Sequence, residues 1–208
     1  LMLVDGDPLQ DITATRGIAA VWKNGHRIER DASAGAPQVE AVPADARVSD
    51  FDGDAVTAHF GSWQPTTDQM AGGASVVEHA LVAGGAGGSR GALRVAGETR
   101  AGFAFPWAGV MFLPATQPMQ PVDLSSRTEL VFQVRGDGRT YSAMLFSGAS
   151  VQAMPSVQSF VAGPAWTEVR LPLAAFQGGD LSQVRGVAFT AGQPLGTFEL
   201  FLDDVALR

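Results

Sequence analysis

Leu130-Val131-Phe132-Gln133-Val134-Arg135-Gly136-Asp137-Gly138-Arg139-Thr140-Tyr141-Ser142-Ala143-Met144-Leu145-Phe146 is the stretch that decides the fold. Leu130, Phe132 and Val134 alternate with Val131, Gln133 and Arg135, which puts the first three on one face of a strand. Gly136-Asp137-Gly138 is turn chemistry, because glycine enters left-handed conformations without a Cβ penalty. A second β-prone run, Tyr141 to Phe146, follows at once, so the stretch predicts a hairpin. The Arg-Gly-Asp-Gly-Arg cluster is not a phosphate loop, since no strand-to-helix context surrounds it.

The same rhythm extends outward. Gly91 to Val95, Trp166 to Leu171 (closed by Pro172), Gly186 to Thr190 and Phe198 to Leu207 are further strand candidates. Phe198, Leu200 and Leu202 again share a face. Twenty-five Gly and twelve Pro in 208 residues punctuate these runs, and no long helical period interrupts them. The expected class is all-β, a sandwich.

Residues 1–31 form a separate block. Leu1 to Val4 reads as a strand closed by Asp5-Gly6-Asp7-Pro8, and Asp11-Ile12-Thr13 as a short turn. Asn24-Gly25 between Ile18–Trp22 and His26–Ile28 is a two-residue hairpin signal. The block is too small to bury a core alone. Residues 32–48 are small, polar and Pro-containing and read as a linker, in which Val39 and Val42 are able to dock on a neighbour. The apolar start, Leu-Met-Leu-Val, reads like mid-strand, so the sequence is expected to be part of a longer protein.

Composition excludes several function classes. Net charge is −7 and the one lysine is Lys23. The arginines are scattered, so no basic stripe exists to displace counterions from nucleic acid. No apolar run approaches the roughly 20 residues a spanning helix needs. With no cysteine, disulfides and thiolate chemistry are out.

Val4-Asp5-Gly6-Asp7-Pro8-Leu9, Asp11-Ile12 and Val21-Trp22-Lys23-Asn24-Gly25 resemble the last strands of the amidohydrolase superfamily. The resemblance implies a metal-dependent barrel in cis, with its histidines, lysine and aspartate upstream. His26, His59 and His79 lie far apart and form no His-x-His. A second resemblance spans residues 49–208. It rests on Asp50-Phe51-Asp52-Gly53, Trp63, Asp68 with Gly72-Gly73 and Ser75, Gly91-Ala92-Leu93-Arg94 and Trp107-Ala108-Gly109-Val110. It continues through Val134 to Arg139 with Tyr141, Trp166-Thr167-Glu168-Val169, Leu171-Pro172-Leu173 and Leu202-Asp203-Asp204-Val205. In that order they resemble the complex I intermediate-associated protein family, a galactose-binding-like jelly roll related in shape to carbohydrate-binding modules. Ala71 stands where that family usually has Met before the two glycines.

This second resemblance implies candidate sites. Gln133, Arg135 and Tyr141 would contribute to a ligand groove on the concave face, and Asp68 with Gly72, Gly73 and Ser75 would form a separate tight loop whose backbone N–H groups face a ligand or the domain core. A structural calcium ion, which wants about 6–8 oxygens, would sit where the first and last strands meet, on Asp50, Asp52, Asp203 and Asp204. Trp63, Trp107 and Trp166 are expected to serve the fold, Trp166 at a strand edge. No residue is offered as catalytic. The expected function is a non-catalytic C-terminal binding module of an amidohydrolase-type hydrolase, holding a glycan, another polymer or a partner protein. The alternatives are a structural or oligomerisation domain, or a cover over the parent active site. A periplasmic or secreted location is slightly favoured.

Overall fold

The computed structural model describes residues 2–4, 6–7, 10, 18–23, 26–28, 39–44, 47–150 and 154–208. The chain divides into two compact units, Leu1–Gln38 and Val39–Arg208. In the first, strands β1 (Met2–Val4), β2 (Ile18–Lys23) and β3 (His26–Ile28) form an antiparallel sheet in that order. Lys23 pairs with His26, the register of a two-residue connection. Asn24 and Gly25 themselves, like Asp11-Ile12-Thr13, lie outside the described residues.

The second unit is a sandwich of two antiparallel sheets. One has five strands in the order β11 (Ser156–Val161), β10 (Thr140–Ser147), β13 (Val184–Ala191), β8 (Ala108–Leu113) and β5 (Ser62–Thr67). The other runs β12 (Thr167–Pro172), β9 (Glu129–Gly136), β14 (Gly196–Leu207), β7 (Gly91–Thr99) and β6 (Val76–Ala83). Its sixth strand, β4 (Arg47–Ser49), pairs with the end of β14. The all-β jelly-roll reading is what the chain adopts.

The expected hairpin at Gly136-Asp137-Gly138 is not one. β9 and β10 pair with different neighbours and belong to opposite sheets. Alternation fixes which face of a strand is buried, and in a sandwich both sheets bury the same kind of face. The turn amides instead reach the crossing between β11 and β12. Gly136 N donates to Gly163 O at 2.7 Å and Gly138 N to Ala162 O at 2.7 Å. Two crossings between the sheets therefore brace each other.

Leu130, Phe132 and Val134 do point inward, as do Phe198, Leu200 and Leu202. They meet Tyr141, Phe160 and Phe189 from the other sheet. Phe132 sits edge-on to Phe189 at 4.9 Å and to Phe160 at 5.0 Å, and each such buried ring contributes about 1.5–3 kcal/mol. Trp63 packs against this core and donates its indole N–H to Ser49 Oγ at 2.8 Å. Part of the expected linker belongs to the sandwich. Glu40 accepts from Thr116 N at 3.0 Å, and Arg127 donates to the Pro43 carbonyl at 2.6 Å.

Candidate ligand face of the six-stranded sheet

Because Leu130, Phe132 and Val134 face the core, Val131, Gln133 and Arg135 face outward on β9. On β14 the same logic turns Glu199 and Phe201 outward. Register sets Arg135 opposite Phe201, and Phe201 opposite Arg94 on β7. Trp166 flanks Arg135 on the other side, one residue before β12. The Arg135 guanidinium carbon lies 4.2 Å from the Phe201 ring centre and 5.3 Å from that of Trp166. A cation between two aromatic rings is held by their quadrupoles and by contact. The next row is Glu168, Gln133 and Asp203.

Arg94 organises the far side of this face. It donates to Glu199 Oε1 at 2.7 Å and to Glu78 Oε1 at 3.0 Å, and those two carboxylates, Glu199 first, raise its pKa further. Arg170 does the same between Glu168 at 2.7 Å and Glu129 at 3.2 Å. Hollows open on the face among the described residues. One of about 200 Å³ is lined by Gln133, Glu168, Asp50, Asp204 and Arg47 among others. A second, of about 270 Å³, lies over Arg135, Asp137, Pro164, Glu199 and Phe201. A third, of about 360 Å³, includes Arg94, Thr197 and Glu199.

Of the four expected ligand residues, Gln133 and Arg135 lie together on this face and the other two do not. Tyr141 is fully buried in the opposite sheet. Its ring stacks on Phe160 at 5.9 Å, so neither face is open to a sugar. Its hydroxyl points to Asp137 Oδ1 at 2.9 Å and the Glu199 carbonyl at 3.0 Å. Burial first, then the bond to Asp137, pushes its pKa well above the usual value. Asp68 is also fully buried. It accepts from Ser75 N at 2.9 Å and Ser75 Oγ at 2.7 Å. Gly72 turns the chain at φ 90°, and a Cβ on Gly73 would fall on the Asp68 carboxyl group. The Asp-Gly-Gly-Ser pattern folds as a buried clasp turned toward the core, one of the two orientations expected of it.

The four aspartates proposed for calcium are divided. Asp50 and Asp204 share the 200 Å³ hollow. Asp50 also lies 3.4 Å from His59 Nε2 and 3.6 Å from an Arg47 nitrogen. Asp52 accepts from Gly91 N at 3.0 Å. Asp203 is buried beneath the loop between β6 and β7, accepting from Ala86 N at 2.8 Å, Ser89 Oγ at 2.7 Å and Asp204 N at 2.8 Å. Burial raises its pKa against the pull of those donors. Among the described residues no group of three or more His, Cys, Asp or Glu is placed to hold a metal. Gly87-Gly88-Ser89-Arg90-Gly91 has the Gly-x-Ser-x-Gly spacing of a nucleophile elbow. It joins two strands rather than a strand to a helix, and Ser89 is bonded to Asp203.

Phe201, Arg94 and Glu199 were not singled out from sequence. The signal for Phe201 was available: an aromatic at the polar phase of an alternating strand is the odd one out.

Residues 49–197 match the Complex I intermediate-associated protein 30 family. The chain belongs to that family. No curated protein matches the sequence. Several solved structures share the fold of this family member at low identity. One is the family 11 carbohydrate-binding module of the cellulosomal cellulase Lic26A-Cel5E of Clostridium thermocellum. It is 16% identical with a TM-score of 0.58, over 81% of this chain and 95% of that one. A family 11 module from Clostridium thermocellum in complex with a β-1,3-1,4-mixed-linked tetrasaccharide is 16% identical, with a TM-score of 0.56 over 78% and 94%. The family 30 module of the cellulosomal cellulase Cel9D-Cel44B of Clostridium thermocellum is 14% identical, with a TM-score of 0.56 over 80% and 98%. At these identities the likeness is one of fold.

Proposed function

We propose that this CIA30-family domain is a non-catalytic carbohydrate-binding module whose ligand lies across the outer face of the six-stranded sheet. The observation that carries the reading is the row Trp166, Arg135, Phe201 and Arg94, flanked by Gln133, Glu168 and Glu199. Pyranose C–H groups pack on aromatic faces, while guanidinium, amide and carboxylate groups bond the hydroxyls. A module of the same fold in complex with a β-1,3-1,4-mixed-linked tetrasaccharide supports the ligand class. Residues 1–31, with their amidohydrolase-like pattern, extend the proposal to a metal-dependent hydrolase in cis. The module would then raise the local concentration of that enzyme at its polymer. A periplasmic or secreted placement of the whole protein goes with it.

The test is affinity electrophoresis through gels containing neutral and acidic polysaccharides. Retardation by at least one polymer is expected, lost in Trp166→Ala and Phe201→Ala while far-UV circular dichroism is kept. No retardation by any polymer overturns the reading.

A second reading, a structural domain that self-associates, has one observation in its favour. Val157 is 48% and Val161 59% exposed on the outer face of the five-stranded sheet. A mass by light scattering that doubles with concentration, and drops in Val157→Lys, would support it over the first.

A further inference from the structure

Among the described residues, Arg135 differs from the arginines around it in having no hydrogen-bond or ion-pair partner for its side chain. Arg94 and Arg170, on the same face, each hold two carboxylates. Arg139 spends its guanidinium on the carbonyls of Gly192, Pro194 and Thr197, and Arg185 on those of Gly148, Met119 and Ala149. Arg135 forms no ion pair and no side-chain hydrogen bond with the described residues, and its Nε is buried without a partner. Its guanidinium carbon lies within 5.3 Å of the Trp166 ring centre and 4.2 Å of that of Phe201.

The carboxylates lining its hollow are already engaged. Asp137 Oδ1 accepts from Arg139 N at 3.1 Å and Tyr141 Oη at 2.9 Å, and Oδ2 accepts from Glu199 N at 3.2 Å. Glu199 belongs to Arg94. A half-buried guanidinium that lies against two rings and is unpaired at a buried N–H is costly to keep. Its planar fork fits a carboxylate or sulfate through two parallel bonds. A sugar hydroxyl presents a single neutral oxygen to that fork and leaves the charge in place.

We infer that the hollow over Arg135 takes the anionic group of an acidic glycan, a hexuronate carboxylate or a sulfate ester. The inference rests on the carbohydrate-binding reading and narrows its ligand class. The net charge of −7 makes the point sharper. The overall field of the protein repels a polyanion, so a preference for one must come from a local site.

The test has two arms. In the first, polygalacturonate, a sulfated galactan and a neutral β-glucan are compared by affinity electrophoresis at low and high salt. At least one acidic polymer is expected to bind at least tenfold tighter than the neutral one, its retardation falling as salt rises. Arg135→Gln should erase the difference, and Arg135→Lys should retain part of it. The two acidic polymers distinguish carboxylate from sulfate. In the second arm, the Arg135 Nε–H resonance is followed while sodium glucuronate, sodium sulfate or glucose is added at constant ionic strength. Glucuronate or sulfate should move it and glucose should not. Equal binding of all polymers, with Arg135→Gln leaving the ratio unchanged, overturns the inference and leaves the carbohydrate reading standing. Binding of no polymer overturns that reading and the inference with it. A resonance untouched by both anions overturns the inference whatever the polymers do.

Discussion

The two outer faces of the sandwich are built from the same kind of strand and carry opposite chemistry. On the six-stranded sheet the outward positions include Gln133, Arg135, Glu199, Phe201 and Arg94, half-buried and polar or aromatic. On the five-stranded sheet they include Met111, Leu113 and Ala188, which form a second apolar cluster covered by Met119, Met144 and Phe146. Leu113 is 1% exposed although it points away from the main core. A face that buries its own side chains adds to stability. A face that leaves an unpaired guanidinium between two rings adds little, and has groups free for a ligand.

That contrast predicts a dissociation of stability from binding. Leu113→Ala should cost about 2–5 kcal/mol, as large-to-small changes at buried sites do, and leave polysaccharide retardation unchanged in the folded fraction. Urea denaturation of the two proteins measures it. Gly73→Ala, by driving a Cβ onto the Asp68 carboxyl, should cost about 1–3 kcal/mol in the same titration. Tyr141→Phe tests whether that residue belongs to the core rather than to the ligand face. It should cost about 1–2 kcal/mol at neutral pH, with binding kept. It should also change the alkaline limb. The folded-state pKa of Tyr141 is raised, so its stabilisation is complete below the unfolded value of about 10. Above that pH the unfolded chain ionises while the folded one does not, and stability falls by about 1.4 kcal/mol per pH unit. The variant should lack this slope, and because Tyr141 is the chain's one tyrosine, absorbance at 295 nm reports its ionisation directly. The smallest effect belongs to Arg170→Ala, an exposed pair on the polar face, at below about 1 kcal/mol.

The comparison also explains what the sequence disclosed. β9 and β14 alternate strongly because one face is core and the other polar, so their inward residues were legible. β8 reads Ala108 to Leu113 with every residue buried, since Met111 and Leu113 face the second cluster. A strand apolar on both sides has no alternation to detect. β5 carries Pro65 and sits at the sheet edge, where a missing N–H is tolerated but the strand reads as loop. Partner choice was not legible either: Gly136-Asp137-Gly138 supplies a turn without stating whether it returns to the same sheet. Tyr141 is expected in the groove as an amphipathic aromatic close in sequence to Gln133 and Arg135. It lies across the crossing, where its phase turns it inward.

On the proposed function, the six-stranded face is the one that meets the ligand. The indole N–H resonances measure it, because Trp166 stands on that face while Trp107, near Thr66, stands by the other. On adding whichever polysaccharide retards the protein, the Trp166 signal should move and the Trp107 signal should stay. Movement of Trp107 with Trp166 unchanged would place the ligand on the opposite sheet and contradict the account.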